Sequence, residues 1–496
     1  MHNQFWAEYK RFLHANLITE APNPLSYNLS ELCKNDLVQA FAIFQTIELN
    51  AINAMLSYVP LIEKLRHAIN KCLAEKNKIY LIGCGASGRL AMLIKRIYEF
   101  EHPDLPKQIV CVSSAGDTSL IKAVEKFEDN REFGIKQLLQ QSFTNHDLVI
   151  GLSASGESPF ILAALEYANQ NSKYKPWLIF NNPIDSLLKR NPTHIVQNIN
   201  SMALDVGPMA LTGSTRLQAT TAMQIALGLA LSDKDITEQI KEIYSTVKKI
   251  PLANLAQITV SEADIITNQQ FILYTTSNPL MGLTMLADIT ERSPTFNLPP
   301  FENTTDSNIN TYSPFYLSLT SADNPSEVWQ MLLGQPPTCL EWTSFPATKI
   351  DYMNGFDLSR NSLRSHGKYL PYQQYTTSWE VSKDNIIIKL NDIAIEFDLP
   401  DNILQRTIIY KLLLNSHSTL MMGRLGYFTG NMMLSLKPSN FKLIDRAIRY
   451  SQFILNDKYN LSYHEVAEIV FAEIEKLQPN QSIVKQVVDR VYETHK

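Results

Sequence analysis

Gly83-Cys84-Gly85-Ala86-Ser87-Gly88-Arg89 follows the β-rich apolar run Lys78 to Ile82 and leads into a helical pattern. Ser153-Ala154-Ser155-Gly156-Glu157-Ser158 repeats the device after the run Leu148 to Leu152, and Gly213-Ser214-Thr215-Arg216 opens a third helical run reaching Leu231. Strand, small-residue loop, helix is the local signature of a parallel α/β sheet. A helix N-terminus presents unpaired N–H groups and the positive end of a dipole, and serine hydroxyls add donors. Three such loops predict a phosphate pocket at the carboxyl ends of parallel strands, where ligands of open α/β sheets bind.

Gly83, Gly85 and Gly88 also satisfy G-x-G-x-x-G, a weak dinucleotide signature when it stands alone. A dinucleotide site needs an acidic residue about 20 positions on, at the end of the next strand. The next apolar run, Ile109 to Val112, gives way to Ser113-Ser114-Ala115. Nor does the chain contain G-x-x-x-x-G-K-[ST], so a nucleoside triphosphate is not indicated. A phosphorylated small molecule fits the three loops better.

Outward from these loops, residues 1–76 read as helical. Leu37, Ala40, Phe41 and Phe44 recur at helical spacing, as do Leu61, Leu65 and Ile69. Short apolar runs then alternate with helices: Ile79 to Ile82, Ile109 to Val112, Leu148 to Leu152, Trp177 to Phe180 and Ile195 to Ile199. This predicts a parallel sheet covered on both faces over 77–235. A second unit, 236–438, begins its sheet at Phe271 to Tyr274, followed by Thr275-Thr276-Ser277-Asn278-Pro279 and an apolar helix, a weaker copy of the first unit. Further strands are expected at Phe315 to Leu319, Ile386 to Leu390 and Ile393 to Phe397, with helices from about Ser326 and from Leu404. Pro346 to Thr377 reads as loop, with Arg364, His366 and Lys368 solvated. Residues 439–496 carry three helical patterns, interrupted at Asp457 to Asn460 and at Pro479-Asn480.

The 496 residues exceed what one core organises, and 45% hydrophobic with 19% charged residues describes an ordinary globular chain. A net charge of -5 offers no footprint for nucleic acid. The five cysteines form no C-x-x-C pair and the ten histidines no H-x-x-x-H, so no metal site is expected and the cysteine usage fits a reducing, cytoplasmic compartment. Met1 to Leu17 lacks the apolar core of a secretory signal, and no run approaches a membrane span.

The three loops together resemble the sugar isomerase (SIS) domain. More narrowly, the chain resembles the group containing N-acetylmuramic acid 6-phosphate etherases and glucokinase regulatory protein. The likeness runs nearly end to end: Thr19-Glu20 with Asn23 and Leu29-Ser30, Gly83 to Leu90, Glu125 to Asp129, Gly151 to Pro159, Gly207-Pro208 with Leu211 to Leu217, and Arg424-Leu425-Gly426 through Gly430-Asn431 to Ser439-Asn440, Lys442-Leu443 and Arg446. It implies an α/β architecture of two flavodoxin-like SIS domains, with a helical N-terminal segment and a helical C-terminal lid. The two domains stand as a fused pseudo-dimer, expected to be monomeric, as in the regulatory protein. Lys442 and Arg446, four apart on one helix face, become lid cations over the phosphate or sugar.

For the ligand, the resemblance places Ser87, Ser153 and Ser155 on the phosphate, Gly85, Gly88 and Gly156 at close backbone approaches, and Glu128 on a sugar hydroxyl. The etherase reaction removes a proton and expels a lactyl ether, which calls for one carboxylate base and one protonated acid. The family element E-x-x-E-D survives as Glu125-Lys126-Phe127-Glu128-Asp129. Its D-x-x-E partner is replaced in the first unit by Ile94-Lys95-Arg96-Ile97 but recurs in the second as Asp288-Ile289-Thr290-Glu291. Glu128 and Glu291 are thus the catalytic candidates if the protein is an enzyme; otherwise Glu291 pairs with Arg292 or a lid cation. Met209 follows Gly207-Pro208 where the family has glutamate, Ala86 precedes Ser87 where threonine is usual, and Gln218 and Thr220 stand where etherases favour lysine and glycine. Each departure removes polarity or shape from an elimination site. Two readings stay open: a sugar-phosphate-binding regulator of a sugar kinase, without cofactor, taking a fructose phosphate; or an etherase or other phosphosugar enzyme acting on an N-acetylmuramic acid 6-phosphate type of ligand. A sugar-sensing transcription factor would need a basic helix-turn-helix, which residues 1–76 do not offer.

Overall fold

The structure, a computed structural model, describes residues 2–12, 17–122, 127–305, 311–338, 340, 350–368, 370–436, 438, 441–456, 458–478 and 481–494. Glu125, Lys126, Ser439, Asn440, Asp457, Pro479 and Asn480, singled out in the sequence, lie outside the described residues, as do the cysteine at 339 and parts of 346–377.

Four helices come first: α1 (His2–Phe12), α2 (Leu29–Asn35), α3 (Leu37–Ala54) and α4 (Val59–Ala74). The first sheet is built from β1 (Ile79–Gly83), β2 (Ile109–Asp117), β3 (Leu148–Leu152), β4 (Trp177–Phe180) and β5 (Asn200–Ala203). Between and after these strands run α5 (Gly85–Glu101), α6 (Arg131–Gln140), α7 (Pro159–Asn171), α8 (Ile184–Arg190) and α9 (Gln218–Leu231). The strand order is β2-β1-β3-β4-β5 with every pair parallel, a doubly wound sheet. β1 and β3 are buried along their whole length because helices cover both faces.

After α10 (Ile236–Lys248) and α11 (Leu252–Thr267), the second sheet contains β6 (Phe271–Thr276), β7 (Phe315–Leu319), β8 (Gln374–Val381), β9 (Asn385–Leu390) and β10 (Ile393–Asp398), with α12 (Pro279–Phe296), α13 (Pro325–Leu333) and α14 (Ile350–Asn354) interposed. Its order is β10-β9-β8-β6-β7. β6 lies between two parallel neighbours as β1 does, but β8, β9 and β10 form an antiparallel meander, so this sheet is mixed rather than parallel. The chain ends in α15 (Ile403–Arg424), the short pair β11 (Phe428–Thr429) and β12 (Met432–Met433), then α16 (Phe441–Leu455), α17 (Tyr463–Ile474) and α18 (Ile483–Thr494).

Four expectations about individual elements and residues are corrected. Ile195–Gln197 is a 3-10 turn capped by His194, and the fifth strand lies just beyond it at Asn200–Ala203, a half-polar edge strand with one neighbour. Gln374–Val381, read partly as loop, is the strand that joins β6 to the meander. Arg364, expected in solvent, is 2% exposed: its guanidinium donates to Glu302 at 2.7 Å and to the Ser313 carbonyl at 2.8 Å. The run from Gly213 stays a turn until the helix begins at Gln218.

The two halves share helices rather than strands. α5 follows β1 as α12 follows β6, and these two helices pack on each other. α15 touches α5 and α9 of the first half, α11 and α12 of the second, and α2 and α3 of the N-terminal segment. This central position explains why its polar residues Asn415, His417, Ser418 and Thr419 are buried, each with a hydrogen-bond partner.

Candidate functional site

The ends of β1 and β3 are paired through Gly83 and Leu152, so the first two loops leave the sheet side by side at its switch point. Gly83 lets α5 start that close to the strand, since a Cβ there would stand 2.6 Å from the Gly88 nitrogen. The third loop, Gly213–Leu217, leads into α9, and α16 contributes Lys442, Leu443 and Arg446 to the same cleft. Together they enclose a cleft of about 1130 Å³, open mouth included.

Of the residues expected at the site, Gly85, Ser87, Ser153, Ser155, Glu128, Glu291, Lys442 and Arg446 all line this cleft. Gly88 and Gly156 lie behind it: a Cβ on Gly88 would meet the Ser113 hydroxyl at 2.7 Å, and one on Gly156 would meet Leu187 at 2.8 Å. The serines are set up as donors. Ser153 Oγ accepts the Gly156 N–H (3.1 Å) and Ser155 Oγ accepts the Glu157 N–H (3.2 Å), which leaves both O–H groups to point at an anion. Ser214 Oγ, on the third loop, is buried in the cleft wall without a hydrogen-bond partner among the described residues. Cys84 also lines the cleft, and burial pushes its thiol far above its usual range.

Charged groups around the cleft come in pairs drawn from distant parts of the chain. Glu291 of α12 accepts from Arg89 of α5 at 2.5 Å. Lys442 of α16 stands 3.6 Å from Glu128. Arg446, one turn on, binds the buried Glu20 carboxylate through Nε (2.9 Å) and Nη2 (2.6 Å) and donates to the Gly213 carbonyl (2.7 Å). Arg449 adds a contact to Glu20 at 3.2 Å, and Tyr450 donates to the Thr212 carbonyl. α16 therefore grips the third loop directly. Glu291 is partnered by Arg89 rather than by Arg292 or a lid cation. Arg292 instead pairs with Asp288 (2.8 Å) and donates to Tyr274.

Glu20, Arg89 and Ser214 are among the wall residues to which the sequence assigns no role. Glu20 and Arg89 sit inside recognisable motifs, yet their partners lie 426 and 202 positions away. Arg216, also in the third loop, lines the cleft and reaches Asp288 of α12 at 2.5 Å and Ser418 and Thr419 of α15.

The corresponding place in the second half is built differently. After β6, the Ser277 N–H and Oγ both donate to Glu380 Oε2 at 2.9 and 2.5 Å, and Asn278 caps the first turn of α12. A carboxylate of the chain itself holds the position that an anion would take. On the first half, Lys95 and Arg96, which replace the acidic element, cap α13: Arg96 donates to the Leu332 and Met331 carbonyls, Lys107 to that of Gly334, and Lys95 to Gln335. Cations at a helix C-terminus are favoured by its dipole. Asp117, the acidic residue at the end of β2, is buried and accepts the Thr338 N–H across the two halves, so it is not presented to a ribose. Among the described residues no cluster of His, Cys, Asp or Glu is placed to hold a metal, and no helix is long and apolar enough to cross a membrane.

Residues 61–169 match the glucokinase regulatory protein N-terminal SIS domain. N-acetylmuramic acid 6-phosphate etherase of Klebsiella aerogenes is 28% identical over 254 residues, 51% of this chain and 80% of the relative. The etherase of Enterobacter sp. (strain 638) is 33% identical over 220 residues, 43% of this chain and 68% of the relative. The chain belongs to the SIS-domain family of N-acetylmuramic acid 6-phosphate etherases and glucokinase regulatory protein. The cleft loops of this SIS-domain protein at Gly83 to Arg89 and Ser153 to Ser158 lie within the matched domain. Among solved structures, the C-terminal domain of glucosamine-fructose-6-phosphate aminotransferase from Francisella tularensis aligns with 77% of this chain and 95% of its own at 14% identity and a TM-score of 0.39.

Proposed function

We propose that this SIS-domain protein is a cytoplasmic regulator that binds a phosphorylated hexose in the cleft, the phosphate on Ser87, Ser153 and Ser155 and the sugar hydroxyls on Glu128 and Glu291. The observation that carries the reading is the pairing of both candidate catalytic carboxylates with cations, Glu291 with Arg89 and Glu128 with Lys442. An elimination needs one carboxyl to arrive protonated, and an ion-paired carboxylate serves instead as an acceptor for sugar hydroxyls. Lys442 and Arg446 are contributed by the lid helix, so a phosphate beneath α16 differentially stabilises the closed arrangement, the requirement for a ligand-set switch. The fused halves act as one chain, and the partner implied by the family likeness is a sugar kinase.

The second reading, an etherase, has its support in the convergence of Glu128 and Glu291 on the same cleft and in the etherase relatives. Calorimetric titration with fructose 6-phosphate and fructose 1-phosphate, alongside measurement of D-lactate released from N-acetylmuramic acid 6-phosphate, separates the two. Binding of a fructose phosphate without D-lactate release is the expected result. D-lactate release that Glu291→Gln abolishes would overturn the regulator reading.

A further inference from the structure

The second loop is held from behind as well as from the cleft side. Gly156 has φ +81°, a conformation open to glycine, and a Cβ there would stand 2.8 Å from Leu187 and 3.0 Å from Phe180. Its carbonyl faces the Nε2 of His194 at 3.0 Å, and its N–H is tied to the carbonyl and hydroxyl oxygens of Ser153. His194 is 3% exposed and caps the 3-10 turn at Ile195–Gln197, where its Nδ1 receives the Val196 N–H at 3.3 Å. An Nδ1 that accepts carries no proton, so the ring is neutral with its single hydrogen on Nε2, donated to the Gly156 carbonyl. One residue beyond, Glu157 pairs with Arg190 at the end of α8 at 2.9 Å.

We propose that His194 is a positioning residue for the anion-binding loop, and that the loop is competent only while the ring is neutral, so that phosphosugar affinity falls in mildly acidic solution by more than the ligand's own ionisation accounts for. This rests on the reading of the cleft given above. Protonation places a second N–H opposite that of Val196, which removes the cap. The Nε2–H bond to the Gly156 carbonyl survives, but the ring is no longer seated on its 3-10 turn, so it shifts and draws with it the carbonyl of the turn that aims the Ser153 and Ser155 hydroxyls.

Burial is the main influence on the ring and lowers its basicity, and the Gly156 carbonyl opposes it. Glu157 on the loop and Arg190 on α8 are the charged side chains flanking this turn, and they engage each other. Burial drives Glu157 up to about 7, with Arg190 opposing, so acidification also neutralises that carboxylate. The test below therefore varies His194 alone.

Titrations of the full chain with fructose 6-phosphate at pH 8.0 and pH 5.5, for the natural protein and for His194→Gln, make that test. Glutamine keeps an N–H donor and an acceptor but does not titrate, and comparing two proteins at one pH cancels ligand ionisation. The affinities are expected to agree within about twofold at pH 8.0, with the glutamine variant about fivefold tighter at pH 5.5, a factor worth ~1 kcal/mol. An equal ratio at both pH values overturns the proposal. Nitrogen-15 spectra of the natural protein give a readout that does not depend on any variant: a neutral Nε2–H ring at pH 7.5 is expected, and an Nδ1–H or doubly protonated ring overturns the assignment. No binding by the natural protein at pH 8.0 would overturn the reading of the cleft itself.

Discussion

The guanidinium of Arg216 and the carboxylate of Asp288 meet at 2.5 Å in the interior, each side chain at most 4% exposed, and join the third loop of the cleft to the helix that carries Glu291. Asp288 is shared with Arg292, whose Nη1 donates to Tyr274, and Tyr274 in turn donates to Glu262. Glu262 also faces His417 Nε2 (2.8 Å) and accepts from Thr377. A continuous buried polar chain thus runs from the cleft to the sheet of the second half. The two guanidinium groups hold Asp288 below the usual carboxylate range against burial, the larger influence, which acts in the opposite sense.

Removing one member of such a set leaves an uncompensated buried charge, which costs about 3–5 kcal/mol. Asp288→Asn is therefore expected to lower the midpoint of thermal or urea unfolding strongly. Tyr274→Phe removes only a hydroxyl and should cost about 1–3 kcal/mol. Urea titrations of both variants check the order; an asparagine variant as stable as the natural protein would contradict the assigned network.

Local chemistry made the first half readable. Apolar strand, glycine and serine, then helical periodicity are contiguous in the chain, so β1, β3, α5, α7 and the cleft loops follow from neighbouring residues. What stayed hidden depends on sequence distance. Nothing around Glu291 announces Arg89, and nothing around Arg446 announces Glu20, because the halves and the lid bring them together only after folding. β8 was obscured for another reason: Gln374-Tyr375-Thr376-Thr377-Ser378 carries no apolar alternation, since Thr377 is buried against Glu262 rather than in hydrocarbon. Arg364 was misjudged for the same cause, a polar stretch whose charge is neutralised inside by Glu302.

On the proposed reading α16 is a lid, and the Arg446–Glu20 pair sets how firmly it sits. Two charge-assisted hydrogen bonds fix the guanidinium on the N-terminal segment, and a third fixes it on the Gly213 carbonyl. Glu20→Gln keeps the shape but removes the charge from an interaction in which each charged hydrogen bond is worth about 1.5–3 kcal/mol. Dissociation of fructose 6-phosphate, followed by stopped flow, is expected to accelerate about tenfold or more. An unchanged rate would show that the pair does not govern closure.

One ligand per chain is the expected stoichiometry. The first half presents the hydroxyls of Ser87, Ser153 and Ser155 with room above them, whereas Glu380 already engages both donors of Ser277 in the second half. Isothermal titration should return a single class of sites with a molar ratio near one. A ratio near two would mean that an external anion displaces Glu380.

Asp117 predicts how stability varies with pH. Burial raises its carboxyl to about 6, opposed by the N–H of Thr338 and by Lys95. A carboxyl whose folded-state value exceeds its unfolded one favours folding while protonated, so its contribution is complete below the ordinary value near 3.8 and is lost as pH rises through about 6. The loss is bounded at about 3 kcal/mol, roughly two pKa units. Asp117→Asn retains an acceptor for the Thr338 N–H and does not titrate. Urea unfolding at pH 4.5 and 7.5 should therefore show a smaller decline for the asparagine variant than for the natural protein. Equal declines would mean that Asp117 remains ionised throughout, held by Lys95 and the Thr338 N–H more strongly than burial opposes.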